Sequence, residues 1–165
     1  MIKELTIEET RNYIPDDTVR AHLSGEFRTT AGRQVFALYD NIRTVYDQEP
    51  HALAVICVAY TNAAPTNEFE LEWFSSASGA GAVPTNTAVF YTVWSYTKGA
   101  GQRIVNGVAS NIRATRPEIK RWVTLSPLTD MAKSFHTRNG ARLVSVHDTC
   151  QIFEYTHLVM DSVTA

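Results

Sequence analysis

The stretch AVFYTVWSYTKGAGQRIVNGVASNIRATRPEIKRWVTLSPLTDMAKSFHTRNGA, residues 88–141, decides how this chain is read. Residues 88–96 are β-branched and aromatic almost without a break, the composition of a strand buried on both faces. Thr97-Lys98-Gly99-Ala100-Gly101 interrupts that run, and glycine suits a backbone that a ligand must approach closely. From Gln102 the apolar period becomes helical, with Ile104, Val105, Val108 and Ile112 on one face. A strand that turns through Gly-x-Gly into a helix presents free backbone N–H groups backed by the helix dipole, and that arrangement holds phosphate. Lys98, Gly99, Ala100, Gly101, Gln102 and Arg103 are therefore the candidate phosphate-binding residues.

Residues 120–126 read as a second strand, followed by a second helix that starts at Pro127 with Ser126 as its cap. Leu128, Met131, Ala132 and Phe135 recur at helical spacing and are expected to face the sheet, with Gly140 as the left-handed stop. His136 adjoins that stripe, so it borders the core; it reads either as a satisfied structural group or as a catalytic one.

Upstream, Ile7 to about Leu23 looks helical, capped at Thr6 and split by Pro15 into two short pieces. Val35–Tyr39 and Leu53–Tyr60 read as strands, with turn chemistry at Asp47-Gln48-Glu49-Pro50 between them. Residues 61–87 show the least periodicity, with a short apolar patch at Leu71, Trp73 and Phe74, and read as a long binding loop or lid. Arg142–His147 and Gln151–Tyr155 read as a closing hairpin.

The 165 residues carry a formal net charge of −2 and 44% hydrophobic residues, which suits one domain with a core of its own. So even a balance implies no bulk attraction to nucleic acid or to an anionic membrane. Cys57 and Cys150 lie in apolar contexts and read as reduced, buried thiols rather than a disulfide, as in a cytoplasmic protein. The N-terminus has no apolar leader segment, and no run approaches the ~20 apolar residues of a membrane span. His147 and Cys150 flank a turn without a second ligand pair, so no metal site is expected. Arg103, Arg113, Arg116, Lys120 and Arg121 read as a solvated basic face, Arg103 being the member placed to meet a phosphate. The aromatic residues at 73, 74, 90, 91, 94 and 96 read as core and groove wall.

In this order of elements the chain resembles the GNAT acyl-CoA transferase superfamily. The motifs AVFYTVWSYTKG, RWVTLSP and FHTRNGARL, with EPHALAVICVAYT upstream, are similar to the catalytic domain of malonyl-CoA decarboxylase. The likeness spans about residues 35–145, and small free-standing GNAT-like proteins, some encoded by tailed bacteriophages, look similar. The resemblance implies a single α+β GNAT-type domain over residues 1–165, its mixed sheet splayed between two parallel strands with helices on both faces. It implies acetyl-CoA or another acyl-CoA as co-substrate, held at the glycine turn, where Tyr96 stands in place of the family's usual Gln or Arg.

The resemblance also implies roles for His136, which occupies the position of the family's thiolate-protonating tyrosine, and for Ser126 as an assisting serine. An unbroken helix from Pro127 would hold His136 roughly 15 Å from Ser126 along the axis. Ser126 would then be only a cap, and Thr124, on the same strand face, becomes the alternative hydroxyl. Three functions are open on these grounds: an acyltransferase, a malonyl-CoA decarboxylase-like enzyme, and a catalytically silent CoA-fold module that binds a protein. The acceptor, a small molecule or a protein, is open, as is the oligomeric state, a homodimer included. The expected location is the cytoplasm, the host's if the chain is phage-encoded.

Overall fold

The computed structural model describes residues 1–40 and 51–160. Along β3 (Ala52–Thr61) side chains alternate between two dry faces, with Ala54, Ile56, Val58 and Tyr60 on one and Val55, Cys57 and Ala59 on the other. Such a strand reads as a continuous apolar run because neither face meets water. β3 is flanked by β2 (Arg33–Tyr39) and β4 (Thr87–Ser95), both antiparallel to it, and β1 (Ile2–Glu4) pairs with the far side of β2.

β5 (Arg121–Thr124) then joins β4 in parallel, which requires a crossover, and α3 (Ala100–Thr115) supplies it. β6 (Ser126–Pro127), β7 (Arg142–Val146) and β8 (Cys150–Glu154) complete the mixed sheet, with β8 pairing to β5, β6 and β7.

Helices cover both faces, an α+β arrangement. α3 buries Ile104, Val105, Val108 and Ile112 against one face, as its periodicity predicts. α1 (Ile7–Tyr13), two 3₁₀ turns at Ala21–Leu23 and Gly25–Thr29, and α2 (Glu68–Gly79) lie with Leu23, Phe27 and Leu71 in the cluster on the other face. Among the described residues no helix is long and apolar enough to cross a membrane. Cys57 and Cys150 are both free and buried, and burial pushes the Cys57 thiol up to about 11.

Three expectations are corrected. Residues 61–87 are not one loop, because α2 occupies Glu68–Gly79, capped by Asn67, whose side chain accepts the Glu70 N–H. The N-terminal helix begins at Thr6 with a full capping box but stops at Ile14, so residues 15–20 carry no helix. The helix expected from Pro127 is α4 (Asp130–Arg138), capped by Thr129. Ser126 and Pro127 instead continue the sheet opposite Gln151 and Cys150, and the Gln151 side chain ties down the Pro127 and Thr129 carbonyls. Leu128 and Met131 are exposed in consequence, not packed on the sheet. Gly140 ends α4 at φ +95°, the left-handed stop read from the sequence. The turn expected at Asp47–Pro50 lies outside the described residues.

Candidate active site

β4 and β5 run together over only part of their length. Their ladder ends at Phe90 opposite Thr124, with a last bond from Leu125 N–H to the Phe90 carbonyl (3.2 Å). Beyond that point β4 continues to Ser95 paired only with β3, while the other chain bends at Leu125 into β6 and pairs only with β8. β4 also bulges here: Phe90 and Thr92 oppose the adjacent residues Val58 and Cys57, leaving Tyr91 as the extra residue. The sheet therefore splays, and a cleft of about 950 Å³ opens in the gap. One wall is β4 and the glycine turn after it, the other is Ser126–Pro127 and α4, and Asp17, Val19 and Arg20 close a third side.

His136 and Ser126 line this one cleft. The distance argument against Ser126 rested on a helix beginning at Pro127, and the later start of α4 removes it. The Ser126 hydroxyl is buried, 2.8 Å from Thr124 Oγ1, and Thr124 in turn accepts the Phe153 N–H (3.2 Å). Thr124 lies behind Ser126 and does not line the cleft.

His136 is 5% exposed, stacked on Phe153 with ring centroids 5.4 Å apart and edge-on to Phe135 at 5.0 Å. Its Nδ1 is 2.7 Å from the Tyr155 hydroxyl. Burial, with the Arg20 charge adding to it, pulls the His136 pKa down to about 4, so the ring is neutral at neutral pH. Burial also holds Tyr155 well above the usual tyrosine range, so its hydroxyl keeps its proton. Nδ1 is the acceptor within hydrogen-bond distance of that proton, and an unmade bond there would leave a buried donor unsatisfied. Tyr155 therefore donates to Nδ1, which puts the imidazole proton on Nε2. A neutral imidazole that lines the cleft can donate its Nε2–H to developing negative charge; it is not an imidazolium acid. Half of the structural reading of His136 holds, since one nitrogen is satisfied within the core.

At the glycine turn, Gly99 caps α3 with φ +82°, and a Cβ there would meet nothing within 4 Å, so backbone conformation is what requires glycine. Gly101 is glycine for another reason: a Cβ would lie 2.2 Å from Phe135 Cε2, so this residue lets α4 pack on α3. Its N–H donates to Ser95 Oγ (3.1 Å), and the Ala100 N–H donates to the Thr97 carbonyl (3.2 Å). The backbone N–H groups of Lys98, Gly99 and Gln102 have no partner among the described residues. Lys98, Gly99, Gly101 and Gln102 line the cleft, as does Tyr96; Ala100 is buried beneath it, and Arg103 sits on the exposed side of α3. Of the other basic residues, Arg121 pairs with Glu154 at 2.9 Å, Arg113 donates to the Leu158 carbonyl and Arg116 stacks on Tyr60.

Sequence reasoning missed Asp17, Arg20 and Tyr155. Arg20 reaches carbonyls 71 and 105 residues away, so no local pattern announces it. For Asp17 a signal existed: Pro15-Asp16-Asp17-Thr18 is turn chemistry, and Asp17 Oδ1 accepts the Val19 and Arg20 N–H groups.

Comparison with protein-family profiles and with curated proteins finds no match. Solved structures do match. Malonyl-CoA decarboxylase from Cupriavidus metallidurans is 18% identical with a TM-score of 0.50, covering 83% of this chain and 33% of its own. The chain thus spans about a third of that decarboxylase. A structure of AtaTR bound with acetyl-CoA is 13% identical with a TM-score of 0.59, covering 99% and 98%. AtaT complexed with acetyl-methionyl-tRNAfMet is 12% identical, also at 0.59, covering 100% and 99%. The expectation that nucleic acid is no partner finds no support among these neighbours, one of which is bound to a tRNA. Such identities speak to fold alone, and together with the splayed parallel pair and the glycine-capped crossover helix they show that the chain has the GNAT fold.

Proposed function

We propose that the chain is an acyl-CoA-dependent acyltransferase, with acetyl-CoA or a related thioester as donor. The observation that carries this reading is a single cleft running from uncommitted N–H groups at the α3 N-terminus to the buried His136–Tyr155 pair. The pyrophosphate of the donor is held by the turn at Lys98, Gly99, Ala100, Gly101 and Gln102, with Arg103 at its outer edge. The thioester lies in the splay, where the unpaired edge of β4 offers main-chain partners to an extended pantetheine arm. His136 Nε2–H donates to the carbonyl oxygen as the acceptor nucleophile attacks the carbonyl carbon, and the C–S bond then breaks to release the coenzyme A thiolate. The proton lost by the attacking acceptor passes through solvent to the released thiolate, and the Ser126 hydroxyl, backed by Thr124, is a second hydrogen-bonding group in the same cleft.

A decarboxylase is the second reading. The pairing of His136 with Ser126 in one cleft favours it, since two neutral donors on a thioester carbonyl stabilise an enolate as well as a tetrahedral oxyanion. Calorimetry with acetyl-CoA and malonyl-CoA, followed by turnover of each with and without amine acceptors, separates these readings. A transferase consumes acyl-CoA only when an acceptor is present; a decarboxylase releases CO₂ from malonyl-CoA alone. His136→Ala and the volume-keeping His136→Phe should each lower kcat on the order of 10²-fold with little change in KM. Full activity in both variants removes the catalytic assignment. Turnover of no acyl-CoA by the wild type favours a silent module that binds a protein partner.

A further inference from the structure

We propose that Arg20 is a positioning residue that sets the opening between β4 and β5, and with it the width of the site. This rests on the reading of that splay as the acyl-CoA site. Where two strands part, the carbonyls at the fork lose their ladder partners and must find others. Tyr91 and Leu125 stand at those two lips, one residue past the last paired positions Phe90 and Thr124. A single guanidinium serves both: Arg20 Nη1 donates to the Leu125 carbonyl (2.5 Å) and Nη2 donates to the Tyr91 carbonyl. The planar fork thus spans the gap where the β4–β5 ladder has ended, and its rigid geometry holds the two lips at one separation. Tyr91 is the bulged residue of β4 and Leu125 immediately precedes Ser126, so the clasp fixes both walls of the cleft.

The arginine is delivered by a segment built to hold it. It is 7% exposed, and Asp17 Oδ2 lies 3.6 Å from its Nε, which offsets the cost of burying the charge. The Asp17 carboxylate also accepts the Val19 and Arg20 N–H groups, both at 2.9 Å, and the Asp17 N–H donates to Ser24 Oγ at 2.7 Å. Behind this loop, Arg28 donates to the Pro15 carbonyl (2.7 Å) and the Leu23 carbonyl (3.2 Å). Residues 15–24 therefore have a preset shape although they contain only one 3₁₀ turn. A lysine could reach one lip as a point charge but not both, so the role is specific to arginine.

The test compares wild type with Arg20→Lys and Arg20→Gln by amide hydrogen exchange measured by NMR, with acetyl-CoA calorimetry in parallel. Leu125 N–H makes the last bond of the β4–β5 ladder and reports on the fork directly. Its protection should fall at least ~10-fold in both variants, the scale of lost charge-assisted hydrogen bonds, while Ile56 and Val58 amides in β3 keep theirs. Acetyl-CoA should bind at least ~10-fold more weakly to both, including Arg20→Lys, which retains the charge. Unchanged Leu125 protection overturns the proposal, as does an equal loss across the whole sheet, which would make Arg20 a general stabiliser. The exchange readout needs no ligand, so it stands even if wild type binds no acyl-CoA, a result that would count against the proposed function instead.

Discussion

Acidification from about pH 7 to pH 4 protonates His136 in the unfolded chain well before it does so in the native one. The unfolded ring titrates near 6.5 and the buried ring at about 4, so between those values the unfolded state binds the extra proton. Stability must therefore fall as pH drops through that window and level off below it, as far as this residue is concerned. At about 1.36 kcal/mol per pH unit the gap corresponds to roughly 3 kcal/mol, a large part of the stability of a domain this size. Glu9, Glu70 and Glu154, held low by their hydrogen-bond partners, also lose stability as pH falls, so wild type alone cannot isolate the histidine. The comparison is with His136→Phe, which keeps the ring against Phe153 and shares every carboxylate. Urea unfolding at intervals of half a pH unit should give wild type an additional loss of about 3 kcal/mol between pH 6.5 and 4. Equal slopes for the two proteins would refute a buried neutral imidazole, and with it the assignment of His136 as an N–H donor. The same reasoning predicts a rate profile without an inflection near 6.5, since the donor form persists down to about pH 4.

The two turn glycines should respond differently. Gly99→Ala forces a side chain into a φ of +82° with open space around it, costing about 1–2 kcal/mol in thermal unfolding and weakening coenzyme A binding in calorimetry. Gly101→Ala drives its Cβ into Phe135, so it should displace α4, perturb the His136 resonances and lower kcat. Thr129→Ala should remove the α4 cap at about 1 kcal/mol, seen by circular dichroism on heating, whereas Ser126→Ala leaves the helix intact and acts on turnover.

The strands were legible wherever burial on both faces wrote a continuous apolar run, as in residues 53–60 and 88–96. α3 was legible because one face alone is apolar. α2 was not, because its contact face buries a single large apolar side chain, Leu71, beside small groups and carries no apolar stripe. Ser75 is buried, and a Cβ on Gly79 would lie 2.5 Å from the Ala31 backbone, while Phe69 and Trp73 stack on each other in solvent. The surviving signal was the cap, Asn67 with Glu70 three residues on. Ser126-Pro127 fits a helix start equally well as a strand end; pairing with β8, remote in sequence, chose the strand. For the candidate site, the glycine turn was legible from local pattern, whereas local pattern placed His136 only at the border of the core and its role came from the resemblance. What sets the tautomer of His136 and the opening of the fork comes from Tyr155 and Arg20, contacts of 19 residues and more.

β8 has a consequence for a chain emerging from the ribosome. It is the strand on which β5, β6 and β7 all pair, and residues from Gln151 to Tyr155 hold Ser126 in register, donate to Thr124 and fix the His136 ring. Translation at ~5–20 residues per second delivers Tyr155 about 1–4 s after His136. During that interval the nascent polypeptide carries its hydroxyls and imidazole without the groups that orient them. The Ser126–Gln151 register and the buried His136–Tyr155 pair then form together with β8, and a chain stalled before Gln151 presents that wall of the cleft without either.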